Sequence, residues 1–172
     1  GDDDLMHILD ALALVDEPEC LVGIDGVAVP RLSRQSVSAS EETTFLREGG
    51  TVLITGGLGA LGREVAHWLV RVHAVDHLVL TSRRGMSTPG AKDVIESLRE
   101  LGATAVVVAC DVTDRAALQA VLSEIPEERP LRGVMHTAGL LDDATVAELD
   151  ARQLSRVLMP KVQGSWNLHR LT

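Results

Sequence analysis

The residues best suited to chemistry fall at four places along the 172-residue chain. Thr55-Gly56-Gly57-Leu58-Gly59-Ala60-Leu61-Gly62 reads as G-x-G-x-x-G on Gly57, Gly59 and Gly62, and equally as T-G-x-x-G-x-x-G. Glycines at this density let backbone N–H groups approach a phosphate at the start of a helix, where the helix dipole favours an anion. A turn that needs positive φ accounts for one or two of them, not for four within seven residues. Some twenty residues further on stands Thr81-Ser82-Arg83-Arg84. An Asp or Glu at that point would hold a free ribose 2′-hydroxyl, whereas guanidinium groups suit a 2′-phosphate, which points to NADPH over NADH. An arginine pair in a turn can also be simply solvated. Asp111, followed by Val112, could accept a hydrogen bond from an adenine amine, with the next backbone N–H completing the contact, or could serve as an ordinary turn residue. Lys161 is the fourth. On a helical wheel from Ala151 to Thr172, Leu154, Val157, Leu158, Val162, Ser165, Leu168 and His169 share one arc, with Lys161 near its middle. Arg156, Met159, Gln163, Asn167 and Arg170 lie opposite. An inward lysine is costly unless it is paired or stands in a site; the competing explanation is an amine snorkelling at the rim of the core. Pro160 either kinks or starts that helix.

The elements that must position these groups alternate strand and helix from Gly49 onward. Thr51 to Ile54 runs without a charge, as a strand buried on both faces does. An amphipathic helix follows the glycines, with Leu61, Val65, Trp68, Leu69 and Val72 expected inward. Further strands are expected at His77 to Thr81, at Thr104 to Cys110 (buried) and at Leu131 to His136. Between them lie helices near Ala91 to Leu101, closed by Gly102, and from an N-cap at Asp114. Such alternation predicts a Rossmann-type doubly wound parallel α/β sheet, whose ligands bind beyond the carboxyl ends of the strands. Small residues at Ala138 and Gly139 fit close approach to a flat cofactor, and His136 reads as a packing residue.

Ahead of this unit, residues 4 to 14 predict an amphipathic helix on Leu5, Ile8, Leu9 and Leu12. Glu19 to Ile24 and Val27 to Leu32 flank Asp25-Gly26 as a hairpin, with Pro30 confining the second strand to an edge. A piece of about 30 residues buries too little surface to fold alone. The expected organisation is therefore 1–32 as the tail of a neighbouring subdomain, 33–48 as a polar linker, and 49–172 as the dinucleotide-binding part.

The net charge of −9 argues against a nucleic-acid surface. No apolar run approaches a membrane span and no signal peptide opens the chain. Cys20 and Cys110 lie in apolar runs and read as reduced core residues of a cytoplasmic protein. His67, His73 and His77 form no metal pattern and are expected at surface or boundary positions.

Together, Thr51 to Gly62, Leu80 to Gly85, Cys110 to Asp114, His136 to Gly139 and Pro160 to Thr172 resemble the short-chain dehydrogenase/reductase superfamily. The resemblance is closest to the ketoreductase domains of modular type I polyketide synthases and covers residues 49–172. It implies that Thr55 to Gly62 hold the pyrophosphate and nearby ribose. It also implies that Ser82 and Arg83 hold the 2′-phosphate, Asp111 and Val112 the adenine, and Ala138 and Gly139 the ribose on the nicotinamide side. Lys161 matches the family's active-site lysine. Leu141-Asp142-Asp143 matches a fingerprint of members that set one hydroxyl stereochemistry (B-type), although an Asp pair before a helix could equally be a cap. The implied reaction is reduction of a β-ketoacyl thioester on an acyl carrier protein, among neighbouring synthase domains. The serine and tyrosine of that chemistry are expected beyond position 172, in the remaining C-terminal part of the ketoreductase. The chain contains no tyrosine, so alone it is expected to be inactive. Two other functions stand beside this one: a non-catalytic dinucleotide-binding or scaffold module, such as an inactive ketoreductase, and an extended-type nucleotide-sugar epimerase or dehydratase, which Arg83, Arg84 and the Lys161 segment fit less well.

Overall fold

The computed structural model describes residues 2–14, 16–23, 25–33 and 49–172. Apart from Ser33, the expected linker lies outside the described residues, as does Ile24. The chain divides into two compact units, Gly1–Thr43 and Thr44–Thr172.

In the first unit, helix α1 (Asp2–Leu12) precedes strands β1 (Leu21–Gly23) and β2 (Gly26–Ala28), which pair antiparallel with Gly23 opposite Gly26. The hairpin forms, but Gly26, expected in the turn, opens β2 opposite Gly23, and the ladder is shorter than its apolar pattern; Pro30 lacks the N–H that would extend it. Leu5, Ile8, Leu9 and Leu12 are exposed. Cys20 is exposed too, correcting its assignment to a core: two three-residue strands offer nothing to bury it in.

The second unit is built on four parallel strands in the order β5-β4-β3-β6. These are β3 (Thr51–Thr55), β4 (His77–Ser82), β5 (Thr104–Ala109) and β6 (Leu131–His136). Helices α2 (Ala60–His73), α3 (Ala91–Glu100) and α4 (Arg115–Ser123) make the crossovers. After β6 come α5 (Ala151–Met159), a π turn (Pro160–Gly164) and α6 (Ser165–Leu171). Every residue of β3 is buried, because successive side chains point to opposite faces and both faces are covered. Val52 and Ile54 pack with Leu69, Leu78, Leu80 and Leu98, under α2 and α3. Leu53 packs with Val79, Leu118, Val121 and Leu168, under α4 and α6. Asp114 caps α4 by accepting from the N–H groups of Ala116 (2.9 Å) and Ala117 (3.1 Å), and Gly102 closes the α3 turn at φ 91°.

Three expectations are corrected here. The inward face of α2 is Gly62, Ala66, Leu69 and Val70, whereas Leu61 is 64% exposed and Trp68 and Val72 are exposed with it. Leu69 is inward as expected and Val65 packs against the core, but Gly62 lies almost against the glycine loop, and that orientation turns Leu61, Trp68 and Val72 outward. Strand β5 is not buried throughout: it sits at the sheet edge, and Thr104 and Val106 are exposed. His77, expected near the surface, is buried; its Nδ1 lies 2.8 Å from Thr51 Oγ1, a partner that makes burial tolerable. Burial, and then the charge of Arg129, push its pKa below the ordinary imidazole value.

Candidate coenzyme-binding cleft

The four parallel strands deliver their carboxyl ends to one edge, and a cleft of about 1010 Å³ opens there. Gly56, Leu58 and Gly59 form its floor; Ser82, Arg83 and Arg84 one end; Cys110, Asp111, Val112 and Thr113 one wall; Ala138 and Gly139 the other end. The structure thus brings together ten of the residues singled out from sequence. Thr55, Gly57, Leu61 and Gly62 of the glycine segment do not line the cleft, nor do Lys161, Leu141, Asp142 and Asp143.

The floor is shaped by what cannot be there. Gly56 takes φ +68°, and a Cβ on it would come within 2.8 Å of the Ala138 backbone. A Cβ on Gly62 would fall on the Gly56 carbonyl oxygen and within 2.7 Å of Gly57 Cα. The Gly57 N–H donates to Thr81 O (3.0 Å), tying the loop to β4. Gly59 is the N-cap of α2, with no side chain capping the helix and no acid in its first turn. Free N-terminal donors and an uncompensated dipole at the foot of a glycine-walled cleft fit a pyrophosphate. Arg63 braces the loop from behind, its Nε donating to Leu58 O (2.9 Å) and its Nη2 to Pro89 O (2.9 Å).

At the end of β4, Arg83 and Arg84 are exposed on the cleft rim, and Ser82 Oγ lies 3.0 Å from Thr88 Oγ1. Thr88 was missed in the sequence; it follows a 3-10 turn (Gly85–Ser87) whose return to β4 carries no periodic signal. Asp111 serves as a turn residue, its Oδ1 accepting from the N–H (2.9 Å) and hydroxyl (2.8 Å) of Thr113, while Oδ2 takes no hydrogen bond among the described residues. Burial raises the pKa of the neighbouring Cys110 thiol.

His136 is a bridge, as its packing assignment requires. Nε2 donates to Pro160 O (2.9 Å), which can only accept, so Nδ1 accepts from Thr55 Oγ1 (2.6 Å). Burial lowers its pKa most; the Pro160 carbonyl opposes this and the Lys161 charge adds to it. A neutral imidazole therefore links β3, β6 and the π turn.

Lys161 is exposed, which corrects the inward placement read from the wheel. The wheel assumed an unbroken helix, whereas Pro160–Gly164 forms a π turn that shifts the phase of everything after it. The buried face of the segment from the turn onward is Gly164, Asn167 and Leu168, while Val162 and His169 are exposed; Leu154 and Leu158, on α5 ahead of the turn, are exposed as well, since α5 buries none of its residues. The amine nonetheless reaches Gly139: a Cβ there would stand 3.3 Å from Lys161 Nζ. Asn167, placed on the outer arc by the wheel, is 1% exposed. It donates through Nδ2 to Val112 O and Thr113 O, both 3.0 Å, and accepts from Gln163 Nε2 (2.8 Å). Asp150 and Gln153 form a capping box on α5, and Arg156 of that helix, which lines the cleft, pairs with Asp142 through Nε (2.9 Å) and Nη2.

Among known proteins, residues 50–172 match the family model described as KR domain. Over 169 residues the chain is 47% identical to polyketide synthase GfsA of Streptomyces halstedii, covering 98% of this chain and 2% of that protein. It is 44% identical over 162 residues to the PKS-NRPS hybrid synthetase acdB of Aspergillus candidus, covering 94% of this chain and 6% of that one. Among solved structures it resembles A-type ketoreductases from a modular polyketide synthase, with a TM-score of 0.82 and 38% identity over 96% of this chain and 35% of theirs. The first ketoreductase of the tylosin synthase aligns with a TM-score of 0.75 and 39% identity, over 98% and 36%. The chain thus spans a few per cent of these curated relatives and about a third of the solved chains.

Proposed function

The chain belongs to the KR domain family, the ketoreductases of modular polyketide synthases, and on that footing we propose that it supplies the NADPH-binding part of a β-ketoacyl reductase. The substrate is a β-ketoacyl thioester carried by an acyl carrier protein, and the product is the β-hydroxyacyl thioester. One observation carries this: the uncapped N-terminus of α2 opens into a cleft whose rim at the end of β4 holds Arg83 and Arg84, with no acid in the Thr81–Arg84 stretch.

In this assignment Gly56 and Leu58 offer backbone N–H groups to the pyrophosphate, with Gly59, whose N–H is held by Gly56 O, and Thr55, Gly57, Leu61 and Gly62 setting the loop's shape. Ser82, Arg83 and Arg84 hold the 2′-phosphate, Asp111 and Val112 the adenine, and Ala138 and Gly139 the nicotinamide-side ribose. Bound there, the coenzyme supplies hydride to the ketone carbon. Lys161 brings Nζ beside Gly139, where it acts on the group that protonates the new alkoxide. That group is expected to be a tyrosine, and none exists among the 172 residues, so the phenol must come from outside them. Leu141-Asp142-Asp143 supports the B-type stereochemical outcome. The absence of tyrosine also sustains a second possibility, a binding module without turnover.

The test is Arg83→Ala in the intact ketoreductase. Loss of a charge-assisted phosphate contact, about 1.5–3 kcal/mol, raises the NADPH KM roughly 10- to 100-fold and leaves NADH kinetics unchanged. Unaltered preference for NADPH removes the assignment. NADPH that binds but is not oxidised when a β-ketoacyl thioester is added establishes the binding module instead.

A further inference from the structure

We propose that Asn167 is a positioning residue for the coenzyme, fixing from α6 the Cys110–Thr113 loop against which the adenine lies; this rests on the NADPH assignment above.

Several of the loop's polar groups are committed. Asp111 O accepts from the Asp114 N–H (3.0 Å), and the Thr113 N–H donates to Asp111 Oδ1 (2.9 Å). The Val112 and Thr113 carbonyls both turn to Asn167 Nδ2. Among the groups with no partner among the described residues are a donor, the Val112 N–H, and a side-chain acceptor, Asp111 Oδ2, with the Asp111 N–H and the Cys110 carbonyl open beside them. A donor beside an acceptor complements the amine and ring nitrogen of an adenine edge. Asn167 supports that pattern through a relay. Its amide holds the carbonyls of the 112–113 and 113–114 peptide groups, and the second of these carries the Asp114 N–H that bonds Asp111 O, the carbonyl of the peptide group whose N–H is that of Val112.

A second contact points the same way. Gly164, three residues earlier on this face, lets α6 lie directly against Val112: a Cβ there would stand 2.7 Å from Val112 Cγ1. Backbone and side chain of Val112 are thus both seated by this helical segment. An apolar side chain at 167 would fill the space but leave both carbonyls without a donor. Gln163 fixes the sense of the amide, since its Nε2 requires Oδ1 on its side and so turns Nδ2 toward the loop.

The experiment uses the intact ketoreductase, with adenosine 2′,5′-bisphosphate as a competitor of NADPH. This probe carries the adenine half of the coenzyme and no nicotinamide. In Asn167→Ala its inhibition constant is expected to rise about tenfold, with kcat at saturating NADPH within twofold of wild type. Asn167→Asp, which keeps the shape but turns an acceptor toward two carbonyls, is expected to rise at least as far and serves if the alanine variant does not fold. An unchanged inhibition constant in a folded variant overturns the proposal. So does a fall in kcat as large as the rise in the constant, because it signals general distortion. If the wild-type enzyme is not inhibited at all, the failure belongs to the NADPH assignment instead.

Discussion

Replacing Gly62 by alanine tests whether the glycine loop and α2 are held in contact by the want of a single carbon. The new Cβ would lie 2.7 Å from Gly57 Cα, against 3.4 Å for an ordinary contact, and would also meet the Gly56 carbonyl. All these neighbours are backbone, so no side chain can swing aside, and α2 must retreat by at least about 0.7 Å, the Gly56 carbonyl being nearer still. Overpacking of this kind costs roughly 1–3 kcal/mol. The same retreat draws the helix N-terminus away from the pyrophosphate, so NADPH affinity should fall about tenfold or more. Gly59→Ala is the control: its Cβ would meet only Gly56 O, at 3.2 Å, and its φ of −76° is open to any residue. Its stability should stay within about 0.5 kcal/mol of wild type, in the range of surface changes. Urea denaturation of the intact ketoreductase gives the stabilities, and NADPH fluorescence titration the affinities. Equal midpoints for the two variants would show that the close approach of α2 is not a constraint.

Other expectations follow from the same geometry. Stability should fall with acid: the pKa values of His77 and His136 are lowered in the folded state, so the unfolded chain takes up protons more readily. The contribution is full above the ordinary imidazole value and is lost as pH drops through it toward the lowered folded values; denaturation midpoints from about pH 7 to 5 should show a slope that His77→Gln makes shallower. Asp114→Ala should destabilise by about 1 kcal/mol through loss of the α4 cap, read as a denaturation midpoint, and an unchanged midpoint would discount both N–H bonds. Lys161→Met should abolish turnover while leaving NADPH binding within about threefold, since an exposed side chain carries little of the fold; a collapse of binding would place the amine in the coenzyme site instead.

The parallel sheet was legible because its signals are local. An uncharged strand, a glycine turn and a capped helix each announce themselves within a dozen residues, and chain order arranges them. Faces were less legible than elements. Leu61, Trp68 and Val72 carry the larger apolar signal of α2, yet Gly62 and Ala66 face the sheet because only small residues permit that approach, a requirement set by a loop in three dimensions. Periodicity failed most plainly around Pro160, where one wide turn brings Asn167 inward and leaves Lys161 exposed, although Leu168 keeps its expected inward place. His77 needed knowledge of Thr51, 26 residues earlier, to be recognised as a satisfied buried imidazole.

Strand order also sets an assembly schedule. Neighbours β3 and β4 are joined by a crossover whose partners Thr51 and His77 are 26 residues apart, whereas Thr55 and His136, linking β3 to β6, are 81 apart. Nearby pairings close first because their loop-closure entropy is smaller, so the β3–β5 side forms early and the chain must then return past it to dock β6. During synthesis from the amino end, the open flank of β3 waits for some eighty residues to emerge, about 4–16 seconds at ribosomal speed. That interval is when this sequence is most exposed to pairing with the wrong strand.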